Sequence, residues 1–245
     1  MVNRDIMGVH RLALPGLVAI VQLAVLASLL PACAAAIPTP VIRDAEPVTE
    51  KIDRGATSVE SEIGGLNEEA MDRAFASLEV QRCLTEGSSR LSAIGGAFKL
   101  RVRINRDGGA RWAYVSESTL GDRATEKCLL DLVRGRSWPK PLGGEGLAEK
   151  AFAIDAPTAP VMLEEKRMLV DVARARAAAS RCRHGVKGSF FATVHVRPDG
   201  RISAAGVAPP NERGEDVADC VVDAIRKLRF RPSAPRAAKV SFEIR

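Results

Sequence analysis

Five cysteines carry the most reactive chemistry in this chain: Cys33, Cys83, Cys128, Cys182 and Cys220. Thiols ligate soft metals, run redox cycles or close disulfides, and spacing separates these uses. No Cys-x-x-Cys occurs, and the histidines other than His10 are His184 and His195, close together in the last third. A metal or redox centre is therefore the weaker reading, and structural disulfides the stronger. Acid–base candidates are Glu117, Asp131 and Asp223, by residue type only. Asp131 and Asp223 each have an arginine three positions on, Arg134 and Arg226, which reads as a solvated helix pair. Nothing matches G-x-S-x-G, a phosphate-binding glycine loop or H-E-x-x-H. The chain reads as non-enzymatic, with no catalytic residues, no metal and no cofactor.

The elements that position these residues occur twice. Arg103-Ile-Asn-Arg-Asp107-Gly108 returns as His195-Val-Arg-Pro-Asp199-Gly200, a shift of 92 residues. Cys128 returns as Cys220 and Trp138 as Phe230 by the same shift of 92. A constant shift across separate markers makes a tandem of two modules. In the first, Asn67 caps a helix carrying Met71, Phe75 and Leu78 that runs to Cys83, and 87–96 is a loop. Leu100, Val102 and Ile104 then alternate with Lys99, Arg101 and Arg103 along a strand with one wet face. Asp107-Gly108-Gly109 turns the chain into a return strand, 110–117. Asp122 caps a second helix bearing Cys128, Leu129, Leu132 and Val133, Trp138-Pro139 ends it, and 150–154 is a closing strand. After the stiff linker Asp155–Pro160, the second module repeats the plan: a helix 162–182, strands near 190–197 and 201–207, a helix through Cys220 and a strand 239–244. The fold class is α+β: two tandem α-β-β-α-β modules, each a small antiparallel sheet packed by helices. His195 falls on the wet face of its strand.

The amino terminus, with Arg4 and Arg11 before an apolar run from Leu17 to Leu30, has the form of an export signal. Leu30-Pro-Ala-Cys33 resembles a bacterial lipobox, which implies cleavage before an acylated Cys33, and Ala34 implies the outer membrane rather than the inner. The domains expected are a lipoprotein signal at 1–32, a disordered tether at 33–65, and modules at 66–155 and 161–245. A tether of this length reaches roughly 30 Å, enough to hold the modules clear of a bilayer. Residues 1–32 hold two arginines and one aspartate, so removing them changes the net charge from +6 to +5, a mild surplus with no basic block. Nucleic acid is a poor partner for such an exported chain. Oxidising surroundings and matching positions favour Cys83–Cys128 and Cys182–Cys220 among the three ways of joining four cysteines.

The Asp-Gly hairpin, the apolar helix, the aromatic near proline (Trp138-Pro139; Phe230-Arg-Pro232) and the closing strand resemble the C-terminal domain of the TonB family. A cysteine in each helix, with Thr119-Leu-Gly-Asp122 ahead of the first of them, is closer to the AgmX/PglI C-terminal domain. That resemblance implies a cell-envelope role in a trans-envelope or gliding-motility assembly, and a sheet that accepts an extended peptide at its edge. A cleaved, lipid-anchored amino terminus departs from the TonB transducer, whose uncleaved helix meets its motor. Three functions follow: a lipoprotein binding an envelope protein, a binder of an anionic polymer such as peptidoglycan or lipopolysaccharide, and a thiol-dependent enzyme. The first is favoured. Its contact surface is expected at Lys99, Arg101 and Arg103 with Trp112 and Tyr114, two aromatics pointing outward among cations. Their spacing against Ala110, Ala113 and Val115 implies an irregularity near residue 111.

Overall fold

The computed structural model describes residues 42–43, 58–61, 65–232 and 234–245. The signal at 1–32, the acylation site Cys33 and most of the tether lie outside the described residues. Strands β1 (Ile42–Arg43) and β2 (Ser58–Ser61) precede the first module. That module comprises α1 (Glu68–Ala76), α2 (Val80–Arg90), β3 (Gly96–Ile104), β4 (Ala110–Ser118), α3 (Arg123–Arg134) and β5 (Gly146–Ile154). The second comprises β6 (Val161–Leu163), a 3-10 turn, α4 (Leu169–Ser180), β7 (Phe190–Val196), β8 (Ile202–Ala208), α5 (Glu212–Arg226) and β9 (Ala238–Ile244). This is the expected α+β architecture, and both modules belong to one compact unit.

Each hairpin's first strand is central. β3 lies between β4 and β5, and β7 between β8 and β9. The outer edge of β5 pairs antiparallel with β1 and β2, whereas the outer edge of β9 pairs with β6 in parallel. The featureless tether expected over 33–65 is thus corrected at two places. The edge of β5 presents unpaired N–H and C=O groups, and short extended stretches of the tether satisfy them. The helix expected to start at Met162 is corrected too, because Val161–Leu163 is spent on the β9 edge and α4 begins only at Leu169. The single helix expected from Asn67 to Cys83 is two. Asn67 does cap α1, accepting from Ala70 N at 2.7 Å, but Ser77 Oγ donates to the carbonyls of Arg73 and Ala74 at the end of α1. Helix α2 restarts at Val80 and runs to Arg90, into the expected loop.

The doubled motif has a physical basis. Trp138 N donates to Gly108 O at 2.8 Å, and Phe230 N donates to Gly200 O at 2.8 Å. Both glycines hold positive φ, 86° and 82°. A Cβ on Gly108 would come within 2.5 Å of Trp138 O, and one on Gly200 would meet Phe230 O. The turn glycine and the distant aromatic recur together because they touch. Trp138 then fills the core 4.8 Å from the Phe75 ring, donating Nε1–H to Val133 O at 2.9 Å. Phe98, Leu100, Val102, Ile104, Leu129 and Val133 complete the first core, and Phe190, Val194, Val221, Ile225, Phe230 and Phe242 anchor the second. Disulfides Cys83–Cys128 and Cys182–Cys220 tie α2 to α3 and the end of α4 to α5, each with Cα atoms 5.6 Å apart.

Candidate functional site

The outer face of the first sheet carries the residues expected to meet a partner. Arg101 lies opposite Tyr114 and Arg103 opposite Trp112, with the two rings 5.7 Å apart, and the register slips where Arg111 is inserted. All five residues share this face, but it is not a bare cationic surface. Lys99 pairs with Glu117 at 2.9 Å, Arg101 with Glu149 at 2.7 Å, and Arg103 with Glu145 at 2.9 Å. Glu145 also takes Arg111 at 2.6 Å, and hydrogen bonds from these two arginines hold its carboxyl below the usual range. Trp112 is half-buried. Tyr114 is only 3% exposed, which corrects the expectation of an open ring, because α5 of the second module packs against β4. Burial raises the Tyr114 hydroxyl pKa above its ordinary value.

The covering contact belongs to a joint between the modules. Arg123 on α3 pairs with Glu215 on α5 at 2.6 Å, and Lys127 pairs with Asp219 at 2.8 Å. Arg123 Nε also reaches Asp219 at 2.7 Å. Residues 123 and 215, and 127 and 219, are equivalents under the 92-residue repeat, so equivalent positions face each other. Helix α3 touches β8 while α5 touches β4, a reciprocal arrangement. The modules are therefore related by an approximate two-fold, as in a symmetric dimer, with opposite charges on the equivalent positions near the axis. Arg134 takes part too. Instead of the expected pair with Asp131 it donates to Ala113 O at 3.0 Å and lies 3.8 Å from Glu215.

Three ionisable side chains are buried where the outer face of the second sheet meets the first module. His195, expected to be exposed, is fully buried, and its Nε2 lies 2.8 Å from Leu120 O. The carbonyl can only accept, so Nε2 carries the proton. Burial pushes the imidazole pKa down to about 4. Lys239 donates to Gly95 O at 2.6 Å, with its pKa lowered by burial to about 8. Glu126 accepts from Ser118 Oγ at 2.7 Å and from Val207 N at 3.2 Å, and burial pushes its carboxyl up to about 7. Its carboxylate fits against β8 because position 206 is glycine; a Cβ there would overlap Glu126 Oε1. Sequence reasoning missed Glu126 and Lys239: it assigned Glu126 no role and placed Lys239 only at the start of the last strand. The one available signal was the run of small residues Ala204-Ala-Gly206, which marks a surface built for close approach.

Among the described residues no group of three or more histidine, cysteine, aspartate or glutamate side chains could hold a metal ion, and no helix is long and apolar enough to cross a membrane. The four described cysteines are all in disulfides. No family model, no curated protein and no solved structure matches the chain.

Proposed function

We propose that this chain is a non-enzymatic cell-envelope lipoprotein, anchored through Cys33, whose first module captures an extended segment of an envelope protein along the outer edge of β5. The observation that carries this reading is that β5 already takes two separate segments antiparallel, Ser58–Ser61 opposite Gly146–Glu149 and Ile42–Arg43 opposite Ala153–Ile154. An edge that pairs with its own flanking chain has the geometry to pair with another. The resemblance to TonB-type C-terminal domains supports the same use, in a trans-envelope or motility assembly. Binding of an anionic polymer is less favoured, since Lys99, Arg101 and Arg103 each already have a carboxylate partner. Photo-crosslinking residues placed at Leu147 and Ala153 on β5, with Arg213 on α5 as the control, test this in intact envelopes. The expected result is a protein adduct from the β5 positions alone. Adducts absent from β5, or equal at Arg213, would refute edge capture; a polysaccharide adduct from a probe at Arg103 would favour the polymer. Mass spectrometry of the mature chain should find an acylated Cys33 at its amino terminus, and a free amino terminus elsewhere would remove the anchor.

A further inference from the structure

The approximate two-fold maps each residue of the joint onto a counterpart 92 positions away. On one side of the axis Arg134 reaches Ala113 O at 3.0 Å and Glu215 at 3.8 Å. The counterparts on the other side are Arg226, Ala205 and Arg123. All three line one cleft of about 170 Å³, together with Arg90, Asp122 and Ser203. Where the first side sets a carboxylate beside an arginine, the second brings two arginines to one cleft.

The charges in and beside this cleft do not cancel. Arg90 pairs with Asp122 at 2.9 Å, Arg123 with Glu215 at 2.6 Å and Lys127 with Asp219 at 2.8 Å. Among the described residues no carboxylate forms an ion pair with Arg226. One positive charge is left over, on an exposed arginine that lines the cleft. The side-chain volumes also differ across the axis. Arg111 and Trp112 on β4 have Ser203 and Ala204 as counterparts, and these two small residues line the cleft.

We propose that this intermodule cleft binds a single carboxylate group, held by Arg226 with the remaining guanidinium nitrogens of Arg90, in the role that Glu215 plays beside Arg134. A planar guanidinium presents paired N–H donors that match the two oxygens of a carboxylate. The charge left over is a single one, which suits a monoanion. The site is independent of the β5 edge. Two sources share this chemistry: a small free carboxylic acid and the carboxyl terminus of a peptide. With one or two charge-assisted contacts at a part-open site, affinity is on the order of millimolar.

The test is an NMR titration of the intact two-module protein, following the amides of Ser203, Ala204 and Ala205. The probes are acetate, acetyl-trialanine with a free carboxyl end, and the same peptide amidated, at matched sodium chloride. Saturable shifts with acetate and the free-acid peptide, and none with the amidated peptide, are expected. Tighter binding of the free-acid peptide than of acetate identifies a chain terminus as the source, and equal binding a small carboxylate; both uphold the site. Arg226→Gln should weaken binding about tenfold, equivalent to about 1.4 kcal/mol, with Arg226→Lys in between. Arg226 is exposed, so neither variant threatens folding. Shifts that follow chloride alone, or an affinity unchanged in Arg226→Gln, overturn the proposal.

Discussion

The pair Arg123–Glu215 gives the sharpest test of the joint. Its side chains are 10% and 6% exposed, and the contact is 2.6 Å. Arg123→Ala strands the Glu215 carboxylate with only Arg134 nearby, at 3.8 Å. Breaking a buried pair from one side costs about 3–5 kcal/mol, and the residual arginine places this variant near the lower end, about 3 kcal/mol. Glu215→Ala leaves Arg123 still bonded to Asp219 at 2.7 Å, so its cost is smaller, about 2 kcal/mol. Independent effects would sum to about 5 kcal/mol in the double variant. Because neither charge is then stranded, the double variant should lose only about 2–3 kcal/mol, a coupling of about 2–3 kcal/mol. Urea unfolding with disulfides intact, followed by tryptophan fluorescence and far-ultraviolet circular dichroism, measures each corner of the cycle. A coupling below about 0.5 kcal/mol would show that α3 and α5 do not meet at equivalent positions, and the approximate two-fold would fall with it.

The buried ionisable groups predict opposing pH effects. His195 is neutral when folded, with a pKa near 4 against 6.5 unfolded, so its contribution is full above pH 6.5 and is lost as pH falls toward 4. Glu126 keeps its proton to about pH 7 when folded against 4.5 unfolded, so its contribution falls as pH rises from 4.5 to 7. The wild type should therefore be nearly flat between pH 4.5 and 6.5, whereas Glu126→Gln should gain stability with rising pH; a flat profile in that variant would refute the burial of His195. Tyr114→Ala should cost about 3 kcal/mol and Trp112→Ala under about 1 kcal/mol by thermal unfolding, since only the first ring is buried; equal effects would contradict the joint. Each disulfide closes a loop, 45 residues for Cys83–Cys128 and 38 for Cys182–Cys220, so each stabilises by up to about 4 kcal/mol in the chain-entropy description. Reduction should lower the unfolding midpoint, and non-reducing peptide maps should recover these two pairs; a bridge between modules would refute them.

The sequence alone determined what depends on nearest neighbours and on repetition. The alternation around Lys99–Ile104, the Asp-Gly turns, the caps Asn67 and Asp122 and the pairing of four cysteines follow from periodicity, turn chemistry and the doubled pattern. Those signals act over a few residues, or within one module, where the chain is its own context. Tertiary structure decided which wet faces stay wet. The alternation that places Lys99 and His195 on outward faces is the same in both modules, yet His195 is buried and Lys99 is not. The difference arises because the first module docks on the face that carries His195, through glycine at 206 and opposed charges at 123 and 215. The small-residue run at 204–206 marks a place of close approach, but no local pattern says which distant part of the chain docks there. Likewise Arg134 and Arg226 occupy the same place in the repeat, and only the two-fold sets one beside Glu215, where it closes an ion pair, and the other in a cleft with Arg123.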